Sequence, residues 1–472
     1  MTKTEFETFS ETLLNQLKNE KKDSLRTIEN NTKLIENYLN GQDLGYLKKF
    51  VNDFNDTVIE AQVKKYKLFE KVLNQKLFYN VIAEFRKSDV LIRACKKVNK
   101  KAVEWLLTMN IDPNVQDENG MTALMHAAEH ASTDFAVSKL LNEKSANMVD
   151  NNGNNVLIHA TNAPDILKKL LKSKISMNRL NNDGEDALLY SCRYDKIRAY
   201  EILIKEKNAN VNCSNCVGMT PAMYLIENAR YREVESLIKS GKVDPNYCGK
   251  NDNTLVSVYI KKYYQQYIGN IGETNYTSKY NYVVTKNYAL TFRVLIDMGC
   301  DFNRPIDVDG NTPIVALLMM KDYVSAKYLI DKCKNLDLSI KNKYGISGSS
   351  FRGLIDEKVF DVMEYNKTRN NSSISYQALV DAIGKHKTYE YDNKYAPENI
   401  DESGDVVALK SIVSSYPIKP EVAKLAEQWV LEVLFPNAGA VITLGNNSYV
   451  KDDPNSFGSL MTKHLTGGLG TY

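Results

Sequence analysis

The first 87 residues carry apolar side chains with a helical period. Ten of them recur largely at intervals of three and four residues, between faces rich in lysine and glutamate: Leu47, Phe50, Val51, Phe54, Val58, Ala61, Phe69, Val72, Leu73 and Leu77. Such spacing places apolar residues on one side of a helix. We therefore predict a helical region over residues 1–87.

From residue 88 the pattern changes to a repeated unit. A turn of the form Asp/Asn-x-x-Gly leads into a short apolar segment, and six such turns are centred on Gly120, Gly153, Gly184, Gly218, Gly310 and Gly345. The first four glycines are 33, 31 and 34 residues apart, and the last two are 35 residues apart. About fifteen residues after the apolar segment comes a second apolar pair, such as Leu140-Leu141. A fixed period of this length predicts a repeat protein.

Each part of the unit has a local physical role. The Asp or Asn side chain bonds the backbone amides of the turn, and glycine accepts the positive φ that other residues resist. Threonine caps the free amides of a following helix, as at Thr122 and Thr220, and proline at the first helical position loses no needed donor. The unit is therefore turn, helix, turn, helix. Because it cannot bury its apolar side alone, neighbouring units must stack.

The period and the motif resemble those of the ankyrin-repeat family, over about Ser88 to Asn366. The resemblance implies an all-α solenoid of about eight repeats with short hairpin turns, the first lacking a clear hairpin and the last, Lys341 to Tyr365, degraded. It also implies binding to a protein partner, without naming that partner. The helices of residues 1–87 would then cap the first repeat, or form a coiled coil with a partner.

One repeat carries an insertion. Between Asn253, which takes the place of the turn glycine, and Gly310 there are 57 residues, roughly two dozen more than one period. We place the insertion at about residues 265–286, between the two helices of that repeat. Tyrosine offers large contact area at low entropic cost, and long insertions often carry function. Six tyrosines are therefore candidate partner contacts: Tyr263, Tyr264, Tyr267, Tyr276, Tyr280 and Tyr282. The alternative is that these rings pack on the neighbouring repeats.

Residues 367–472 form a C-terminal region of mixed pattern, in which no family is recognised. Helices are predicted at residues 375–386 and 419–434, and the apolar segment 439–444 is a short strand or a plug. Residues 452–472 form a glycine-rich tail. Their position at the end of the chain and their composition are typical of mobile segments.

Composition and charge narrow the function. Lysine plus arginine numbers 61 and aspartate plus glutamate 58, so a net charge of +3 gives no general attraction for nucleic acid or an anionic membrane. Seven scattered cysteines, an odd number, indicate a reducing compartment. The N-terminus lacks an apolar signal core, and no apolar stretch of about 18 residues occurs. We predict a cytoplasmic protein, with the nucleus as the alternative, and no membrane insertion.

Candidate chemistry is sparse. His126 and His130 have the i, i+4 spacing of metal ligands, yet His126 and His159 occupy the position at which the resemblance implies a structural histidine. Cys213 and Cys216 have the spacing of half a zinc site, with no second pair at zinc-finger distance. No phosphate loop or nucleophile motif precedes a suitable helix. The sequence thus predicts no catalytic residue, no metal and no cofactor.

These observations predict a non-enzymatic scaffold or adaptor. It would bind a protein partner through the concave face of the repeats, alone or as a subunit of a larger complex. The alternative is an effector or enzyme whose repeats select a substrate for an activity located in residues 367–472.

Overall fold

The computed structural model describes residues 2–351, apart from 62, 64, 174, 264–278, 308, 320, 321, 344 and 346, together with residues 433 and 434. Within these residues the secondary structure is α-helical, with short 3-10 turns and a single isolated bridge between Gln116 and Thr122. The all-α fold class is confirmed. The chain divides into two compact units, residues 1–210 and 211–472. The C-terminal region predicted at 367–472 lies outside the described residues, except for 433 and 434.

Six helices form the N-terminal region: α1 Lys3–Lys18, α2 Ser24–Asn30, α3 Thr32–Tyr38, α4 Leu44–Glu60, α5 Lys67–Leu73 and α6 Tyr79–Lys87. Nine of the ten apolar residues of the predicted stripes are buried. The exception is Leu77, which is half-buried, while its neighbour Phe78 takes the buried place. The helical period therefore identified buried positions of α4 and α5 correctly, while further core residues, such as Phe9, Leu13 and Ile35, lie on α1 and α3.

Four helix pairs follow in the N-terminal unit: α7 Val90–Lys96 with α8 Lys100–Leu106, α9 Ala123–Ala128 with α10 Asp134–Leu140, α12 Val156–His159 with α13 Pro164–Leu171, and α14 Ala187–Arg193 with α15 Ile197–Leu203. A short helix, α11 Glu143–Asn147, follows α10. The first helices pack against one another in the series α7, α9, α12, α14, and each second helix packs behind its partner. This order separates a layer of first helices from a layer of second helices.

The N-terminal helices pack on the first pair through α4 and α7. The indole of Trp105 stacks on the ring of Tyr66, with centroids 4.8 Å apart and planes 11° apart. Phe54 meets the ring of Phe85 edge to face at 5.5 Å, and Phe85 lies 6.0 Å from Trp105. Aromatic contacts of this kind contribute stabilisation beyond that of the apolar area they bury. The cluster therefore holds α4 and α6 against the first repeat.

Up to residue 351, the described part of the C-terminal unit contains three further pairs: α16 Pro221–Glu227 with α17 Tyr231–Lys239, α18 at residues 255–263 with α19 Lys279–Asp297, and α20 Pro313–Met319 with α21 Tyr323–Lys332. A seventh turn follows, around Gly345. Helix α19 begins within the interval predicted as the insertion, so the last eight residues of that interval, 279–286, are helical. The second helix of this repeat is therefore longer than the neighbouring second helices α17 and α21.

The turns form because their side chains satisfy their own backbone. Asp117 Oδ1 accepts a hydrogen bond from the amide of Met121 at 2.8 Å, and Gly120 closes the turn with a φ of +74°. Thr122 then caps α9 by accepting from the amide of Met125 at 3.3 Å. These are local interactions between residues close in sequence, which is why the motif alone predicts them.

Candidate functional site: the turns and first helices

Neighbouring turns of the N-terminal unit are bonded tip to tip. The amide of Asn151 donates to the carbonyl of Asn119 at 2.9 Å, and its side chain donates to the carbonyl of Glu118 at 2.8 Å. Asn182 repeats both contacts one unit later, with the carbonyls of Asn152 at 2.9 Å and Asn151 at 3.0 Å. The turns and first helices, residues 117–130, 150–162 and 181–195, thereby form one continuous surface. We call this the inner surface.

Two imidazoles and three carboxylates form a chain across the first two repeats of this surface. His126 Nε2 lies 2.9 Å from Asp117 Oδ2, and His159 Nε2 lies 3.1 Å from Asp150 Oδ2. The other ring nitrogen of each histidine faces Glu129, His159 Nδ1 at 3.1 Å and His126 Nδ1 at 3.8 Å. The carboxylate of Glu129 thus bridges two histidines that are one repeat apart.

Within this group of two histidines and three carboxylates, the pairing of opposite charges favours the ionised forms of Glu129 and His126. Burial raises the pKa of Glu129, but the two histidines outweigh burial and bring that pKa down to about 2. Burial lowers the pKa of His126, and the carboxylates of Glu129 and Asp117 outweigh it, so the net shift is upward. Glu129 is therefore ionised at neutral pH, with 31% of its side chain exposed. It places a fixed negative charge on the inner surface.

Tyrosine replaces histidine in the next repeat. Tyr190 occupies in α14 the position that His126 occupies in α9, and its ring lies 4.4 Å from that of Tyr194. Tyr194 is 47% exposed, and the guanidinium of Arg193 lies over its ring, 5.2 Å from the centroid. Arg193 also bonds Glu185 at 2.8 Å and Asp183 at 3.1 Å. An aromatic pair, a guanidinium and two carboxylates thus meet at the end of α14.

The pKa of Tyr190 connects this cluster to the histidine chain. Burial raises the pKa of the Tyr190 hydroxyl, and Tyr194, Glu185 and Asp150 raise it further. Since Asp150 is also bonded to His159, alternating carboxylates and basic side chains extend from Glu129 to Arg193 at the end of α14. Sequence reasoning missed this cluster, although the change from histidine to tyrosine at one repeat position was a readable signal.

The tyrosines predicted as partner contacts are placed only in part. Tyr263 is 1% exposed, donates its hydroxyl to Asp322 Oδ2 at 3.2 Å and stacks on Tyr259 at 5.5 Å. It lies in the interior of the C-terminal unit, where Phe292 also stacks on Tyr259. Outside the described residues lie Tyr264, Tyr267 and Tyr276, and the side chains of Tyr280 and Tyr282 on α19. For those five the contact remains a prediction.

The described part of the chain offers no other chemistry of these kinds. No group of three or more His, Cys, Asp and Glu side chains there could hold a metal ion. His130 is exposed and lies at the start of a 3-10 turn, outside α9. None of the helices placed by the structure is both long and apolar enough to cross a membrane.

Stacked turn–helix–helix units with bonded turns define a helical repeat protein of the kind that binds other proteins. The family description "Ankyrin repeats (3 copies)" matches residues 91–181 and 161–247, and this part of the chain consists of ankyrin repeats. The same alternation of turn and helix pair continues through α21.

Two solved structures are similar in part. One is a complex of a predatory endopeptidase from Bdellovibrio bacteriovorus with an immunity protein, at 28% identity and a TM-score of 0.33, covering 38% of this chain and 94% of the matched chain. The other is the ankyrin repeat domain of Bcl-3, a member of the IkappaB protein family, at 17% identity and a TM-score of 0.37, covering 48% and 92%. No curated protein matches the sequence.

Proposed function

We propose that this protein is a non-enzymatic intracellular scaffold or adaptor that binds a protein partner through the inner surface of its N-terminal unit. The observation that carries the proposal is the bonding of successive turns, because it fixes the first helices and turns of three repeats as one preformed surface. A preformed surface loses little conformational entropy on binding. The exposed Tyr194 and the guanidinium of Arg193 are residue types that dominate binding energy in protein interfaces.

The N-terminal helices fit the role of a cap in this proposal. They cover the side of the first repeat where α4 packs on α7, and Arg93 of α7 reaches back to Asp56 of α4 at 2.7 Å. A terminal repeat needs such a cover to stay folded and soluble.

The buried thiols of Cys95 and Cys300, whose pKa burial raises to about 12, support a structural role for these cysteines in a reducing compartment.

A photo-crosslinking experiment tests the proposal. A photoreactive amino acid replaces Asp183 on the inner surface or Lys168 on α13, two positions with nearly equal side-chain exposure of 57% and 58%. The tagged full-length chain is expressed in cells of its native source and irradiated, and crosslinked proteins are identified. We expect one recurrent protein partner from position 183 and a much weaker yield from position 168. Equal yields at the two positions, or none at 183, would contradict the proposal.

A further inference from the structure

Charge is segregated between the two layers of the N-terminal unit. The inner surface, residues 117–130, 150–162 and 181–195, contains eight Asp and Glu residues, one Arg and three His. The intervening second helices and loops, residues 131–149, 163–180 and 196–210, contain five Asp and Glu and eleven Lys and Arg. The net charge of the whole chain is only +3, so this difference between segments is not visible in the overall composition. Such a field attracts a positively charged ligand to one side only.

The end of α14 already holds one guanidinium. Arg193 is bonded by the carboxylates of Asp183 and Glu185, and it lies over the face of the Tyr194 ring. Carboxylate pairing combined with stacking on an aromatic face is how proteins bind arginine. The side chain of Arg193 therefore shows, within this chain, which ligand chemistry the cluster accommodates.

The adjoining part of the inner surface also has carboxylates and an aromatic ring, and the basic side chains paired with these carboxylates are histidines rather than Arg or Lys. Glu129 and Asp150 supply carboxylates, and the half-buried ring of Tyr190 lies beside Tyr194. His159 is hydrogen-bonded through both ring nitrogens, and His126 is hydrogen-bonded through one. These bonds orient the carboxylates. Across these repeats the only Lys or Arg within the three inner segments is Arg193.

We propose that the inner surface binds a basic segment of the partner, an extended peptide whose arginine or lysine side chains contact Glu129 and the Tyr190–Tyr194 pair beside Arg193. This inference rests on the proposed function and specifies the chemistry of its partner. Exposed acidic residues steer the basic segment towards the surface, and the tyrosine rings supply the contact area. Raising the salt concentration weakens the complex, because exposed charges are screened.

Selection from a displayed library of random dodecapeptides on the full-length protein tests this inference. We expect the enriched peptides to carry an excess of Arg and Lys, and the strongest of them to bind with a dissociation constant that rises at least tenfold between 50 and 300 mM salt, an order-of-magnitude expectation from screening. In fluorescence anisotropy, Tyr194→Ala should weaken this peptide by about tenfold or more, as expected for a central interface aromatic. Tyr79→Ala, at a 57% exposed tyrosine on α6, is the matched control and should change the affinity less than about twofold.

Three outcomes would overturn the inference: no enrichment, enriched peptides without excess positive charge, or equal affinities of the Tyr194→Ala and wild-type proteins. Thermal melting of each variant shows whether it is folded. A failure of this inference can be distinguished from a failure of the proposed function. A partner that crosslinks at position 183 through an acidic or apolar segment would leave the proposed function standing and reject the basic ligand.

Discussion

Two glycines of the same repeat allow a direct test of the contact between neighbouring turns. Gly218 and Gly241 both have positive φ, +79° and +68°. A Cβ atom at Gly218 would lie 2.6 Å from the carbonyl oxygen of Lys250 and 2.8 Å from its Cβ, whereas a Cβ at Gly241 would meet nothing within 4 Å. Replacement by alanine therefore has the same backbone cost at both positions and an added steric cost only at Gly218.

The magnitudes follow from these distances. Alanine in the left-handed region costs about 1–2 kcal/mol, which is the whole expected loss for Gly241→Ala. At Gly218 the turn must move by roughly 1 Å to restore ordinary contact distances. That movement weakens the bonds that Val217 accepts from the side chains of Asn251 and Asn253, both at 3.4 Å, each contributing about 1 kcal/mol. Gly218→Ala should therefore lose about 3–4 kcal/mol in total.

Hydrogen exchange measured by mass spectrometry is the suitable assay, because repeat arrays open locally. Peptides covering α16 and α17 should exchange faster in both variants. The difference of about 2 kcal/mol between them corresponds to about thirtyfold in the exchange rate. Equal protection in the two variants would show that the turns at Gly218 and Lys250 are not in contact, and would refute the tip-to-tip stacking of this unit.

Three further predictions concern the N-terminal unit. Glu129→Gln should lower the free energy of unfolding of this unit by about 1–3 kcal/mol, because two histidines lose their shared carboxylate. Glu143→Gln, at an exposed position, is the control and should change the free energy of unfolding by less than about 0.5 kcal/mol. Urea titrations of the two variants measure the difference. In the wild type, the pairing of His126 contributes its full stability below the unfolded-state pKa of 6.5, and this stability is lost as pH rises through the raised folded-state pKa. The stability contributed by Glu129 is present above its unfolded-state pKa of 4.5 and is lost as pH falls towards the folded-state pKa of about 2. A pH series that shows the same profile for Glu129→Gln and wild type would contradict this. Phe54→Ala should cost about 3–5 kcal/mol, since the ring is fully buried among other aromatic rings, and calorimetry should show little change for the exposed Tyr79→Ala.

The repeats could be predicted from the sequence because their chemistry is local. The turn at Asp117 and the cap at Thr122 bond atoms within four residues, so the motif contains all the participants. Even where the motif varies, the replacement is chemically equivalent: Asp186 takes the place of the threonine and caps α14 by accepting from the amide of Leu189 at 2.8 Å. The periodic spacing then places these local units in register.

The candidate site could not be predicted in the same way. Glu129 meets His159 thirty residues further along the chain, and only the stacking of two repeats brings them to 3.1 Å. The contacts of Tyr263 could not be predicted from the sequence either. A tyrosine-rich segment suggests a surface, but the environment of this ring is set by Asp322, which lies 59 residues away. Spacing along the sequence carries no information about such partners until the stacking geometry is known.

The bonds between turns also bear on how such an array can change during evolution. At three junctions an asparagine of the later turn, Asn151, Asn182 or Asn251, donates its side-chain amide to a backbone carbonyl of the earlier one. Every residue type supplies that carbonyl, so the earlier tip is free to vary in sequence while the later one is constrained. A duplicated repeat that keeps its asparagine can therefore join the end of an existing array without a matching change in the host. The residues at the tips, which face any partner, can diversify independently of the joints that hold the array together.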